Sequence, residues 1–294
     1  MRDYVIITDS CVDLPEKLAQ ELNLIVLPLK VTVEGKEYQN FLDEREIKIK
    51  DFYAILREHK KTSTAQAIPA EFIEIMTPFL KENKDILSIS FSSSLSGTYN
   101  SAQIASKDLL KEFPGAVIEC VDSLSASMGQ GLLLTYAARL KQNGASLEEV
   151  KQFVLDTRLQ LSHLFTVSDL GHLRRGGRLS AGMEILGTLL NVKPLLHVSK
   201  EGKLVVYEKA RGRFKSLHSL VNRMVDTFDK SKDQLVYISH GDSLEDAEFV
   251  KSLILEKLPV KEKNILVNPI GPVIGSHSGV DTIAIFYLGN ERTK

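Results

Sequence analysis

Cysteine is almost absent: Cys11 and Cys120 are the only two, and they form no CxxC pair. So small a supply excludes a disulfide framework and a thiolate metal site. Net charge is nearly absent too, with 37 Lys and Arg against 38 Asp and Glu and a formal balance of −1. No general attraction to nucleic acid or to an anionic membrane follows from such a balance. No uninterrupted apolar stretch is long enough to cross a bilayer, so stable membrane insertion is not expected. The start, Met1-Arg2-Asp3 followed by a strand-like run, lacks the apolar core and cleavage site of a signal peptide. Together these absences predict a cytoplasmic protein.

Common catalytic signatures are missing as well. Gly171 and Gly176 have the spacing of a P-loop, but Gly177 stands where the lysine belongs. Gly275 and Gly279 have the spacing of a nucleophile elbow, but its centre is His277. Gly129-Gln130-Gly131 lacks the third glycine of a dinucleotide fingerprint, because residue 134 is Leu. There is no HExxH motif, EF-hand loop, internal repeat or low-complexity tract. No cofactor is implied.

What is present is an α/β pattern. The 294 residues, 43% of them hydrophobic, suffice for a core and a ligand cavity. Strand-like runs over 4–7, 25–33, 86–91 and 117–121 alternate with helical patterns over 15–22, 50–58, 69–81, 98–110 and 127–142. Ser146 and Glu149 have capping-box spacing, so another helix starts there. From about residue 160 the style changes. Strands are predicted over 164–167, 193–198, 204–209, 235–239 and 282–288. Helices are predicted over 214–228 and 247–258, with a Gly-punctuated helical stretch over 170–190. The expected architecture is two-lobed: a mostly parallel α/β lobe over 1–159 and a second α/β lobe over 160–294. A cleft between them is expected, and small ligands commonly bind in such clefts.

Polar clusters follow several strands, where an α/β sheet presents its ligand edge. Thr8-Asp9-Ser10-Cys11-Val12-Asp13-Leu14-Pro15 reads as a turn with a helix cap. Thr62-Ser63-Thr64-Ala65-Gln66-Ala67 and the serine run ending Ser96-Gly97-Thr98-Tyr99 carry more hydroxyls than capping needs. Hydroxyls and helix amides there can converge on an anionic oxygen. His277 lies among glycines and serines, where it can donate to a carboxylate or titrate near neutral pH. Arg174, Arg175 and Arg178 form a basic loop suited to phosphate or carboxylate, with Arg211 and Arg213 a weaker second point.

In this order the clusters resemble the DegV family, whose better-known members are fatty-acid-binding B subunits of the bacterial fatty acid kinase. The matching pieces are Thr8-Asp9-Ser10 with Asp13-Leu14-Pro15, Ser96-Gly97-Thr98-Tyr99, and Gly176-Gly177-Arg178-Leu179-Ser180. Lys193-Pro194, Ala210-Arg211 and Gly271-Pro272-Val273 with His277-Ser278-Gly279 complete the set. The resemblance implies a non-enzymatic carrier that holds a long-chain fatty acid such as palmitate in an apolar tunnel. A partner kinase subunit would then phosphorylate the presented carboxyl group. Carried over by position, the head-group ligands are Ser96, His277 and Thr64, with Thr62 as the alternate. The family's usual Thr-Ser-Gln-Pro is replaced here by a stretch with Ala65 and Ala67. Arg178 and Arg211 match positions expected to dock the kinase or handle phosphate. The stretch 183–190 is a candidate tunnel lining or an ordinary core helix. Two rivals remain at this stage. One is a serine hydrolase of acyl esters with Ser96 as nucleophile, His277 as base and Asp9 as orienting acid. The other is a sugar-phosphate binder using Arg174, Arg175 and Arg178.

Overall fold

The computed structural model describes residues 2–168, 170–179, 191–231, 233–290 and 292. The chain opens with strand β1 (Tyr4–Asp9), helix α1 (Glu16–Glu21) and β2 (Leu24–Leu27). Next come β3 (Lys30–Val33), β4 (Lys36–Gln39), α2 (Ile49–Arg57), β5 (Thr62–Ala65) and α3 (Pro69–Lys81). Then follow β6 (Asp85–Ser90), α4 (Thr98–Glu112), β7 (Ile118–Asp122), α5 (Met128–Gln142) and α6 (Leu147–Thr157). The second half begins with β8 (Leu161–Thr166), α7 (Gly171–Arg175), β9 (Val192–Val198) and β10 (Leu204–Arg211). It ends with α8 (Arg213–Thr227), β11 (Val236–His240), α9 (Leu244–Lys257), β12 (Ile265–Pro269), α10 (Pro272–Ser278) and β13 (Ile283–Leu288).

These strands form three sheets. The first has the order β2-β1-β6-β7 and is parallel throughout. The second, β10-β9-β8-β13-β11-β12, is antiparallel except for the pair β11 and β12. The third is a small antiparallel sheet, β4-β3-β5. The α/β two-lobed expectation therefore holds.

Alternation along the strands of the second sheet assigns its two faces. Ile283, Ile285 and Tyr287 of β13 join a core with Leu220 and Met224 of α8 and Val250 and Ile254 of α9. Ala284, Phe286 and Leu288 point the other way, into a core shared with Ile7 and Leu132 of the first half. A period of two separates the faces, as a pleated strand requires. Arg292 fastens the halves from within. Its buried guanidinium donates to the carbonyls of Leu124, Arg158, Leu161 and Ser199, with Nε–H 3.1 Å from Leu161 O.

Several local expectations are corrected. The run over 25–33 is two strands in two sheets, because Pro28 has no N–H to continue a ladder. The following turn has Glu34 and Gly35 both in the left-handed region, at φ 50° and 83°, which closes the β3–β4 hairpin. Thr62–Ala65 is not a loop leading into α3 but the strand β5, with Thr64 opposite Val31. Its hydroxyls do not cap α3. Glu71 does so instead, accepting from the Ile68 N–H at 2.9 Å. The Gly- and Ser-rich stretch around His277 is a helix, α10, started by Pro272 and ended by Gly279 at φ 81°. Strands β4 and β12 have no counterpart in the sequence reading. Residues 180–190, including Ser180 and the candidate lining over 183–190, lie outside the described residues.

Candidate functional site

The carboxyl ends of β1, β6 and β7 stop opposite the shared-core face of the second sheet. Between them lies a cavity with about 820 Å³ of empty space, its open mouth included. Phe91 and Leu95 line it from the loop after β6, and Ala126 from the loop after β7. Phe165, Val198 and Phe286 line it from the second sheet, and Val273 and Ile274 from α10. The walls are thus mainly apolar, and both halves supply them.

Polar groups gather where β5, α10 and the β6–α4 loop meet. Thr64 Oγ1 lies 2.7 Å from His277 Nε2. Ser96 Oγ is 2.9 Å from Thr98 Oγ1 and accepts from the Thr98 backbone N–H at 3.3 Å. Strand β5, carrying Thr64, and the loop carrying Ser96 are tied together just past Ala65, since Gly97 N–H donates to Gln66 Oε1 at 3.1 Å. Arg178 Nε–H donates to Leu95 O at 3.0 Å. Thr64, Ser96, Arg178 and His277 all line the one cavity.

Burial pushes the His277 pKa down to about 4, helped by the positive charges of Arg178 and His172. The ring is therefore neutral near pH 7. Its Nδ1 has no hydrogen-bond partner among the described residues and packs against Gly176. A Cβ at that glycine would stand 2.1 Å from Nδ1. An N–H has no acceptor in that position, so the ring proton belongs on Nε2, facing Thr64.

Asp13 holds α10 in place. Its carboxylate accepts from Gly271 N–H at 2.9 Å and from Ser127 Oγ at 2.6 Å. Asn268 Nδ2 donates to the Asp13 carbonyl at 2.7 Å. Burial raises its pKa to about 7, outweighing the Ser127 and Gly271 hydrogen bonds that lower it. The expected turn-and-cap role of this first cluster belongs to Asp9, which accepts from Cys11 N–H at 3.2 Å.

The alternate threonine, Thr62, does not line the cavity. It lines an adjoining open cleft with Lys60, Lys61, Arg175 and the acidic Glu34. Thr64, Arg178 and His277 border both spaces, so the polar end of the cavity opens into this mostly basic cleft. Arg211 is exposed at the end of β10 and borders neither space. The hydrolase triad is not assembled. His277 Nε2 bonds Thr64 rather than Ser96, and Asp9 is committed to Phe91 N–H at 2.8 Å and to Cys11. The mainly apolar cavity likewise disfavours a sugar-phosphate ligand. Among the described residues no cluster of three or more His, Cys, Asp or Glu could hold a metal ion. No helix among them is long and apolar enough to cross a membrane.

Sequence reasoning missed Thr98 as the hydroxyl behind Ser96, and Ser127, His163 and Ser239 in the cavity wall. Thr98 stood in a quoted cluster, but only the coordinates show which hydroxyl backs the other. His163 and Ser239 sit in apolar strands and give no local signal.

The model of the DegV family matches residues 3–290. The chain belongs to the DegV family. A DegV domain-containing protein of Clostridium perfringens is 42% identical over 292 residues, covering 99% of each chain. A solved structure described as fatty acid binding of a DegV family protein from Thermus thermophilus is 32% identical. It superposes with a TM-score of 0.86 over 98% of this chain and 100% of its own. The structure described as DegV, a fatty acid binding protein from Bacillus subtilis, is 27% identical with a TM-score of 0.83. It covers 99% of this chain and 100% of its own.

Proposed function

We propose that this DegV protein carries one long-chain fatty acid, such as palmitate, with its tail in the apolar cavity and its carboxyl group at Thr64, Ser96 and His277. The observation that carries this reading is a mainly apolar cavity with those three side chains at its polar end. The Thermus and Bacillus proteins, described as binding fatty acids, support it. Tail burial dominates the energetics. At about 0.8 kcal/mol per methylene, roughly fourteen methylenes give a gross term near 11 kcal/mol, reduced by ordering the chain. A hydrogen bond to the charged head adds about 1.5–3 kcal/mol. The tail sets affinity, and the head contacts set direction.

The same geometry suits presentation to a partner kinase subunit. A carboxylate at the cavity's polar end faces the adjoining basic cleft, which offers room for a phosphate donor. One carboxylate oxygen would attack the γ-phosphorus of ATP, forming an acyl phosphate and releasing ADP. This chain's part is to orient that oxygen and keep the tail out of water. Arg178, at the border of both spaces, would meet the transferring phosphate, while exposed Arg211 would contact the partner's surface. The reading places the protein in the cytoplasm and requires no cofactor in this chain.

Lipid extraction and mass spectrometry of the purified protein should recover one acyl chain per protein. Acyl phosphate, trapped as the hydroxamate, should form only when the kinase subunit and ATP are added. Protein that yields no acyl chain and takes up none in a lipid-exchange assay would end the proposal.

A further inference from the structure

Each hydroxyl at the head of the cavity is bonded to a neighbour, and those neighbours decide which way the hydrogens run. Thr98 is fully buried and does not line the cavity. Its Oγ1 accepts from the Ala67 backbone N–H at 3.4 Å and contacts Ser96 Oγ at 2.9 Å. Were Ser96 to donate to Thr98, the Thr98 hydrogen would be buried without an acceptor, which is costly. The opposite direction satisfies every group. Ala67 N–H donates to Thr98, Thr98 O–H donates to Ser96, and Ser96 O–H is left for the cavity. On the facing side the same logic holds. His277 Nε2–H donates to Thr64, whose own hydrogen is then left for the cavity.

We infer that the polar end of the cavity is a donor-dominated site, set by Thr98 and His277, that selects an ionised carboxylate over a neutral head group on the same chain. The inference rests on the fatty-acid reading above. A carboxylate only accepts, and its two oxygens match the two free hydrogens. An alcohol must place a hydrogen of its own. Ser96 Oγ has no lone pair left for it, since it already accepts from the Thr98 hydroxyl and backbone N–H, and Thr64 Oγ1, which accepts from His277, offers a single one. Arg178, lining the same cavity, adds a positive charge that favours the anion. Thr98 is then a positioning residue, acting on the ligand only through Ser96.

The test compares hexadecanoic acid with hexadecan-1-ol at pH 8, by displacement of a fluorescent fatty-acid probe. Wild type should prefer the acid. Thr98→Val keeps the shape but removes the hydroxyl, and should lose about tenfold in acid affinity while alcohol affinity stays within about twofold. Thr98→Ser should bind both ligands like wild type. The inference is overturned if Thr98→Val leaves acid binding intact, weakens both ligands equally, or is matched in its loss by Thr98→Ser. It is overturned as well if wild type binds the alcohol as tightly as the acid. If wild type binds neither, the fatty-acid reading itself fails and takes this inference with it.

Discussion

Thr64 and His277 stand 213 positions apart in the chain, yet their side chains meet at 2.7 Å. On the proposed fatty-acid reading this pair belongs to the head contacts and not the tail contacts, and single substitutions should expose the division. His277→Ala or Ser96→Ala should loosen fatty-acid binding by about tenfold and cut acyl-phosphate formation by about a hundredfold. Equal losses in the two assays would contradict that division of roles. Asp13 supplies a second residue-scale prediction. Its folded pKa of about 7 lies above the ordinary 3.8, so between those values the folded state holds more protons than the unfolded one. Stability from this group is complete below about pH 4 and is lost as pH rises through 7. Asp13→Asn should remove that slope. Urea midpoints at pH 5 and pH 8 should differ less in the variant, on the order of 2–4 kcal/mol less when converted to stability. At this scale the sequence was informative about residue type and order. Thr64, Ser96 and His277 could be named from motif position, but only coordinates separate Thr64 in the cavity from Thr62 in the cleft.

Elements carry the positioning. Helix α7 touches α10 at Gly176, which packs against His277 Nδ1. Gly176 itself has an ordinary helical backbone, φ −76°, so alanine there is conformationally acceptable and its only conflict is with neighbouring atoms. Gly176→Ala should therefore push the imidazole off Thr64. We expect roughly tenfold weaker acid binding with a melting temperature within a few degrees of wild type. Unchanged binding in a titration would show that the ring has room to turn aside. Elements differ in how plainly they are written in sequence. Helix α3 is legible to both ends, from Pro69 at its first turn to Lys81. The Ser146 capping box is legible too, with Ser146 Oγ accepting from Glu149 N–H. Strand β5 is not, because Thr-Ser-Thr-Ala carries no apolar alternation and its pairing with β3 is a long-range contact. Helix α10 is obscured for a related reason: glycines and serines weaken its pattern, while Asp13 and the surrounding core hold it from outside.

At the scale of the whole molecule, two halves share one core and one cavity, so ligand and fold should be coupled. Saturation with fatty acid at about a hundred times Kd should stabilise the protein by about 2.7 kcal/mol. Delipidated protein should accordingly melt several degrees lower in calorimetry. Arg292 tests the joint between halves without touching the cavity. Arg292→Ala leaves four carbonyl groups short of a donor and should cost about 3–5 kcal/mol. A urea midpoint unchanged from wild type would mean that water replaces the guanidinium at little cost. The two-lobed α/β plan was readable from alternating apolar and amphipathic runs. The sharing of one core by both halves was not, since local periodicity shows that a face is apolar without showing what covers it.

Pro28 has a consequence beyond ending a strand. By sending the chain out of the parallel sheet it creates the small β4-β3-β5 sheet, and that sheet, not the cavity walls, delivers Thr64. On the proposed reading, the threonine of the carboxyl grip therefore sits on a different piece of the scaffold from the part of the tail mould that the second sheet supplies. Descendants of this chain could change the length or bend of the lipid they favour by altering Phe165, Val198 or Phe286, and inherit the head contacts untouched.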